Sequence, residues 1–327
     1  MSRYHQTLLG MLLSTSLSAC STAPSREPAA IQSSTLQFIK VEKIKFTDDI
    51  LSPLLGFEVP RHTISFAINI LGDKNCSTYL VNRLTAPTGK DLINGGDSID
   101  LGKLADGPNR STLGIIPGTG GLLVPNHPSV KVSPGKWKLQ LAGCHTTTAN
   151  VTIALKVLTA PPKDGEIHLR IFLTGAHGWT KETAGSNKDF LEMIKTARSI
   201  FARADIKLTI DDVSSLAKKH RRPSLTKIDQ LTGLASPGNA QLNVFVVDKL
   251  TDDLDGMSLS LGVPGPVGPE TSANSGVLVF AESAGPKTSP HELGVFLAHE
   301  IGHYLGLYHV SDNVNGPDLL SDTDIAD

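Results

Sequence analysis

Near the end of this 327-residue chain stand three histidines and a glutamate at a spacing that suits a metal ion. They are His299, Glu300, His303 and His309, in the run His299-Glu300-Ile301-Gly302-His303-Tyr304-Leu305-Gly306-Leu307-Tyr308-His309. Residues four apart on a helix share a face, so His299 and His303 can turn imidazole nitrogens toward one ion. Glu300 lies about 100° further round the helix, placed to reach a water on that ion and not the ion itself. Gly306 can take the left-handed conformation that reverses the chain at a helix end, which would return His309 to the same ion. Three neutral imidazoles leave zinc an open fourth position. Zinc lowers the pKa of its water from about 16 toward about 7, and with Glu300 as general base the chemistry is metal-assisted hydrolysis.

A helix has to carry this motif, and its start is written in the sequence. Ser289 can cap free N–H groups and Pro290 suits the first helical position. Leu293, Phe296, Leu297, Ile301 and Leu305 then recur at helical spacing. Just upstream, Gly276 to Phe280 reads as a buried strand. Earlier still, Ile167, Leu169, Ile171 and Leu173 alternate as a strand. Ser186 with Asp189 three residues on looks like a capped start for a helix through Phe190, Ile194, Ala197, Phe201 and Ala204. Ile206, Leu208 and Ile210 read as the next strand, and Leu242, Val244 and Val246 as a third. The order predicts a mixed sheet backed by helices. Between Thr251 and Ser275 the chain is rich in Gly, Pro and Ser, as functional loops often are, with a short apolar stretch at Met257 to Leu261.

The first half has a different texture. Short alternating runs such as Thr63 to Ile70, Trp137 to Leu141 and Val151 to Val157 are divided by Gly, Pro, Asn and Asp. Period-two patterning with turn residues between runs predicts an antiparallel β-sandwich over 36–160. The prolines of Thr159-Ala160-Pro161-Pro162-Lys163-Asp164-Gly165 mark a linker, after which 166–327 forms the second domain. The expected class is α+β, a β-sandwich followed by a mixed-sheet and helix domain.

At the amino terminus, Arg3 precedes an apolar run from Leu8 to Leu17, a length that fits a signal peptide and is too short to span a membrane. Leu17-Ser18-Ala19-Cys20 resembles the lipobox of bacterial lipoproteins, which implies a signal peptide over 1–19, lipidation of Cys20 and an exported, outer-membrane-anchored protein. The alternative is an ordinary signal peptide cut after Ala19. Ser21 to Ser34 is rich in Ser, Ala and Pro, so 20–35 reads as a tether. Cys76 and Cys144 then remain, either as a disulfide or as two buried thiols. A formal net charge of −2, with no basic cluster expected, argues against a nucleic-acid partner.

The zinc motif matches in full the HExxHxxGxxH signature of the metzincin metalloendopeptidases. The resemblance runs from about Glu166 to the end of the chain. Asp318-Leu319-Leu320-Ser321-Asp322-Thr323 looks like the acidic stretch of pappalysin-like metzincins, with Asp324 where those usually have proline. It implies a zinc endopeptidase acting on polypeptides, with substrate laid along an edge strand at Ser258, Leu259, Ser260 and Leu261. Metzincins also carry a methionine turn after the third histidine. The last methionine here is Met257, upstream of the motif, so the peptidase domain is expected to be C-terminally incomplete. A contrasting expectation is a lipid-anchored binding or adhesion protein with an inactive zinc-binding remnant. Asp312, Asp318, Asp322 and Asp324 form either a calcium site or a solvated acidic loop. His291, two turns before His299 on the same helix, reads as an exposed first-turn histidine or else as a support behind the ligands, and His168, His177 and His220 lack ligand spacing.

Overall fold

The computed structural model describes residues 35–46, 50–97, 99, 109, 117–127, 129–158, 165–224, 227–235, 241–251, 261–263, 276–281, 288–305 and 307. The fold is mixed α+β, with antiparallel sheets followed by a largely parallel one.

Eight strands make the first part: β1 (Thr35–Lys45), β2 (Leu55–Val59), β3 (Thr63–Gly72), β4 (Leu80–Thr85), β5 (Asp91–Asn94), β6 (Thr119–Val124), β7 (Gly135–Ala142) and β8 (Thr148–Val157). They form two antiparallel sheets, ordered β1-β8-β3-β6 and β2-β7-β4-β5. Phe66, Ile68, Ile70, Val151 and Ile153 from the first sheet share one core with Phe57, Leu84, Trp137, Leu139 and Leu141 from the second, as a sandwich requires. Trp137 sits at its centre, edge-on to Phe66 at 5.0 Å between ring centroids and stacked on Phe57 at 6.4 Å. Its indole N–H donates to the Ser133 carbonyl at 2.9 Å, which satisfies the one polar atom that burial strands. Cys76 and Cys144 are joined in a disulfide across 68 residues.

The second part holds β9 (Gly165–Leu173), α1 (Lys181–Ala184), α2 (Lys188–Ala202), β10 (Ile206–Ser215), α3 (Ile228–Thr232), β11 (Leu242–Val247), β12 (Leu261–Val263), β13 (Gly276–Phe280) and α4 (Pro290–Tyr304). The sheet order is β10-β9-β11-β13-β12. All neighbours are parallel except β12, which runs antiparallel to β13 at the edge, Leu261 opposite Leu278. Every residue of β11 and β13 is buried, the pattern of strands covered on both faces. On one face Leu169, Ile171, Val244, Val246 and Val279 meet Met193, Ala197, Leu293, Leu297 and Ile301 of α2 and α4. On the other, Phe172, Phe245 and Phe280 meet Ile228 and Leu231 of α3.

The cap of α2 differs from the sequence expectation. Asn187, not Ser186, is the N-cap: its side-chain oxygen accepts from the N–H groups of Asp189 and Phe190, both at 3.0 Å. Ser186 instead donates to the Thr183 carbonyl at the end of α1. The helix ends at Ala202, so Ala204 falls just beyond it. No helix among the described residues is long and apolar enough to cross a membrane.

Candidate metal centre

The helix that carries the motif is held at its start by a reciprocal pair of bonds. Ser289 Oγ accepts from the Glu292 N–H at 3.2 Å, and Glu292 Oε2 accepts from the Ser289 N–H at 2.7 Å. The Glu292 carboxyl is held below its ordinary pKa, first by the Ser289 side chain and then by the Ser289 backbone N–H. Along the buried face, Gly294 meets the backbone of α2 directly. A Cβ there would lie 2.5 Å from the Met193 carbonyl oxygen and 2.5 Å from Thr196 Cβ. Only a residue without a side chain permits this approach. Thr196 Oγ1 also lies 3.2 Å from Nδ1 of His291, whose side chain is exposed.

One turn and a half further on, the structure brings His299 and His303 together. Their Nε2 atoms are 2.9 Å apart and their rings nearly perpendicular, at 86°. His303 Nδ1 lies 2.9 Å from the Leu307 carbonyl, an acceptor only, so Nδ1 carries the proton and donates it. A neutral imidazole with Nδ1 protonated presents a lone pair at Nε2, the form that ligates a metal, and a carbonyl behind the ring is its usual orienting partner. Glu300, between the two histidines in sequence, is 5% exposed. The Leu307 N–H donates to the Gly302 carbonyl at 2.9 Å, a six-to-one bond of the kind that closes a helix with a chain reversal.

The pair fits zinc. A tetrahedral ion at about 2.0–2.1 Å from each nitrogen needs them roughly 3.3 Å apart, a small ring rotation away from the observed separation. The third expected ligand, His309, lies outside the described residues, as do Gly306, the lipidation candidate Cys20, the acidic residues Asp312, Asp318, Asp322 and Asp324, and Ser258, Leu259 and Ser260 of the expected edge strand. Among the described residues no group of three or more His, Cys, Asp or Glu could hold a metal. Leu261 begins β12, the antiparallel edge strand.

Two of the histidines without ligand spacing have other partners. His168 Nδ1 pairs with Asp211 at 2.9 Å, and that bond, followed by one from Gln241, lowers the Asp211 pKa. His177 stacks on Trp179 and lies 3.1 Å from the Ala281 carbonyl through Nε2. Sequence reasoning missed Gly294 and the Leu307 carbonyl. A glycine inside an apolar helical run is a signal that could have found the first; nothing local marks the second.

No family model matches the sequence, and no curated protein matches it. Weak likenesses to solved structures include metalloproteinase-II from Bacteroides fragilis, at 14% identity over 51% of this chain and 55% of that one, with a TM-score of 0.30. The chain thus spans about half the length of that neighbour. A family two carbohydrate esterase from Clostridium thermocellum follows at 12% identity over 67% of each chain and a TM-score of 0.20. A serine protease of Aeromonas sobria matches at 11% identity over 41% of this chain and 28% of that one, TM-score 0.20. These neighbours are hydrolases, and because likenesses of this size carry no argument about the reaction, the chemistry has to come from the residues themselves.

Proposed function

We propose that the chain is a zinc-dependent endopeptidase, with His299, His303 and His309 as ligands and Glu300 as general base. The observation that carries this is the facing pair of Nε2 atoms at 2.9 Å, one of them held in its ligating tautomer by the Leu307 carbonyl. Bound zinc supplies Lewis acidity and a water whose pKa is brought toward neutrality. His303 is oriented from behind by the Leu307 carbonyl, so loading asks for no more than a small ring rotation within the pair. Glu300 takes the proton of the attacking water and returns it to the leaving amine. An extended polypeptide would lie along β12, the edge strand of the sheet among the described residues, and would gain affinity through main-chain bonds with little demand on side chains. In the same proposal a lipidated Cys20 tethers the chain at a bacterial outer membrane, outside the cytoplasm, where Cys76 and Cys144 stay oxidised.

Cleavage of an unfolded polypeptide tests the reading. The intact chain should show chelator-sensitive turnover, and Glu300→Gln should lose at least about a hundredfold in kcat while keeping its metal. A zinc-loaded chain that cuts no polypeptide would hand the site to the competing account, a binding protein with a metal-holding remnant.

A further inference from the structure

The end of the parallel sheet opposite its linker carries a feature that the metal centre does not use. β9 is followed by β10 on one side, yet its other neighbour is β11, so the chain leaves β9 in one direction and returns in the other. In open α/β sheets ligands bind at the carboxyl ends of the strands around such a reversal. Here the segment 216–224 crosses that end. The Leu216 N–H donates to Leu173 at the end of β9, the Asp248 N–H at the end of β11 donates to the Arg221 carbonyl at 2.7 Å, and the Thr251 N–H donates to Pro223 at 2.9 Å.

Five consecutive residues of this pinned segment are basic, Lys218, Lys219, His220, Arg221 and Arg222, which corrects the expectation that the chain has no basic cluster. Lys218, Lys219 and Arg222 are exposed. Arg221 is taken up by Asp248, which is 3% exposed and 2.9 Å from its Nη2; Arg222 Nε is 3.6 Å from the same carboxylate. Lys181, exposed beside Glu182, is fastened nearby by its N–H to Ser215 Oγ. One buried carboxylate therefore faces a run of basic groups, and the rim keeps a positive excess. The pKa of His220 is lowered chiefly by burial and then by the neighbouring Lys219 charge. Asp252 and Asp253 follow in sequence and lie outside the described residues; carboxylates there would subtract from an anion's attraction, not create it.

We propose that this rim is a contact surface for anionic phospholipid headgroups. Exposed lysines on a backbone held by the sheet suit many mobile phosphates more than one shaped ligand, and basic clusters near a bilayer gain roughly fivefold in binding per residue. The inference rests on the lipid-anchor reading of Cys20. A lipid on Cys20 would hold the folded chain near the membrane, where weak contacts suffice.

The test uses the full-length chain as Cys20→Ser, which cannot be acylated, sedimented with vesicles of phosphatidylcholine alone or mixed with phosphatidylglycerol. The quantity read is the gain on adding the anionic lipid, so binding common to both kinds of vesicle cancels. That gain should fall with added salt and drop about tenfold or more in Lys218→Glu/Lys219→Glu. Lys138→Glu/Lys156→Glu, an equal change at exposed sandwich positions, should retain it. Circular dichroism confirms that both variants fold. An unchanged gain in the first variant, or an equal loss in the second, overturns the proposal. So does a loss of duplex DNA binding in the first variant with vesicle binding intact, which would make nucleic acid the occupant. Mass analysis of Cys20 in membrane fractions tests the anchor separately, so failure of one reading does not mimic failure of the other.

Discussion

The two parts of the chain bury apolar surface by opposite means. In the sandwich, apolar residues from both sheets face one shared core between them, and a covalent link between Cys76 and Cys144 reinforces it. In the parallel sheet, β11 and β13 are apolar throughout, and helices cover both faces without any covalent link among the described residues. The difference bears on chemistry. A two-sided sheet fixes α4 along its whole length, so polar groups at the far end of that helix can be buried in a set geometry. Glu300 and His303 are both buried there. The sandwich shows no comparable grouping of ionisable side chains among the described residues.

Each part also holds one of the two tryptophans, Trp137 in the sandwich and Trp179 beside α2. Variants keeping only one therefore report one region at a time. The largest expected effect is removal of the disulfide: opening a loop of 68 residues in Cys76→Ala/Cys144→Ala should cost about 4 kcal/mol by the chain-entropy model. Denaturation followed through Trp137 should shift by that amount while the Trp179 transition stays in place. Equal shifts in both would show that the two regions unfold as one and would break the comparison.

Gly294→Ala should act on the other region. Alanine favours helix by roughly 1 kcal/mol over glycine. The added methyl, however, meets a backbone carbonyl that cannot rotate away. Overpacking of this kind costs about 1–3 kcal/mol, so a net loss is expected in the Trp179 transition alone. Zinc affinity, read by competition with a chromophoric chelator, should weaken with it, because α4 must shift. Unaltered affinity in a destabilised variant would separate the helix contact from the site.

The smallest effect is at the start of α4. The Glu292 carboxyl is held below its ordinary value by Ser289, so its contribution is present above the ordinary carboxylate range and is lost as pH falls through the lowered folded value. Ser289→Ala should cost about 1 kcal/mol at neutral pH and flatten this acid dependence. An acid limb as steep in the variant as in the parent would remove the capping box from the account.

Much of the layout was legible because it rests on local patterning. Alternation marked β3, β7, β8 and β9, and Ser289 with Pro290 marked the start of α4 to the residue. The cap of α2 was one residue off because Ser186 and Asn187 are adjacent capping types, and only side-chain reach decides between them. The short α3 carries too few residues for a period to show. At the site, the spacing of His299 and His303 was readable, since one helical turn relates them. The tautomer of His303 was not, because it depends on where the Leu307 carbonyl points after the helix has ended. Whether Cys76 and Cys144 pair was open in sequence, since 68 residues of intervening fold decide it.

Metal content tests the central claim most directly. The purified chain, dialysed against trace zinc and analysed by plasma mass spectrometry, should carry one zinc per chain. His299→Ala/His303→Ala should carry none, with the transitions of both tryptophans still cooperative. Zinc retained at parent stoichiometry in that double variant would contradict the account, since the facing imidazoles would then not be its ligands.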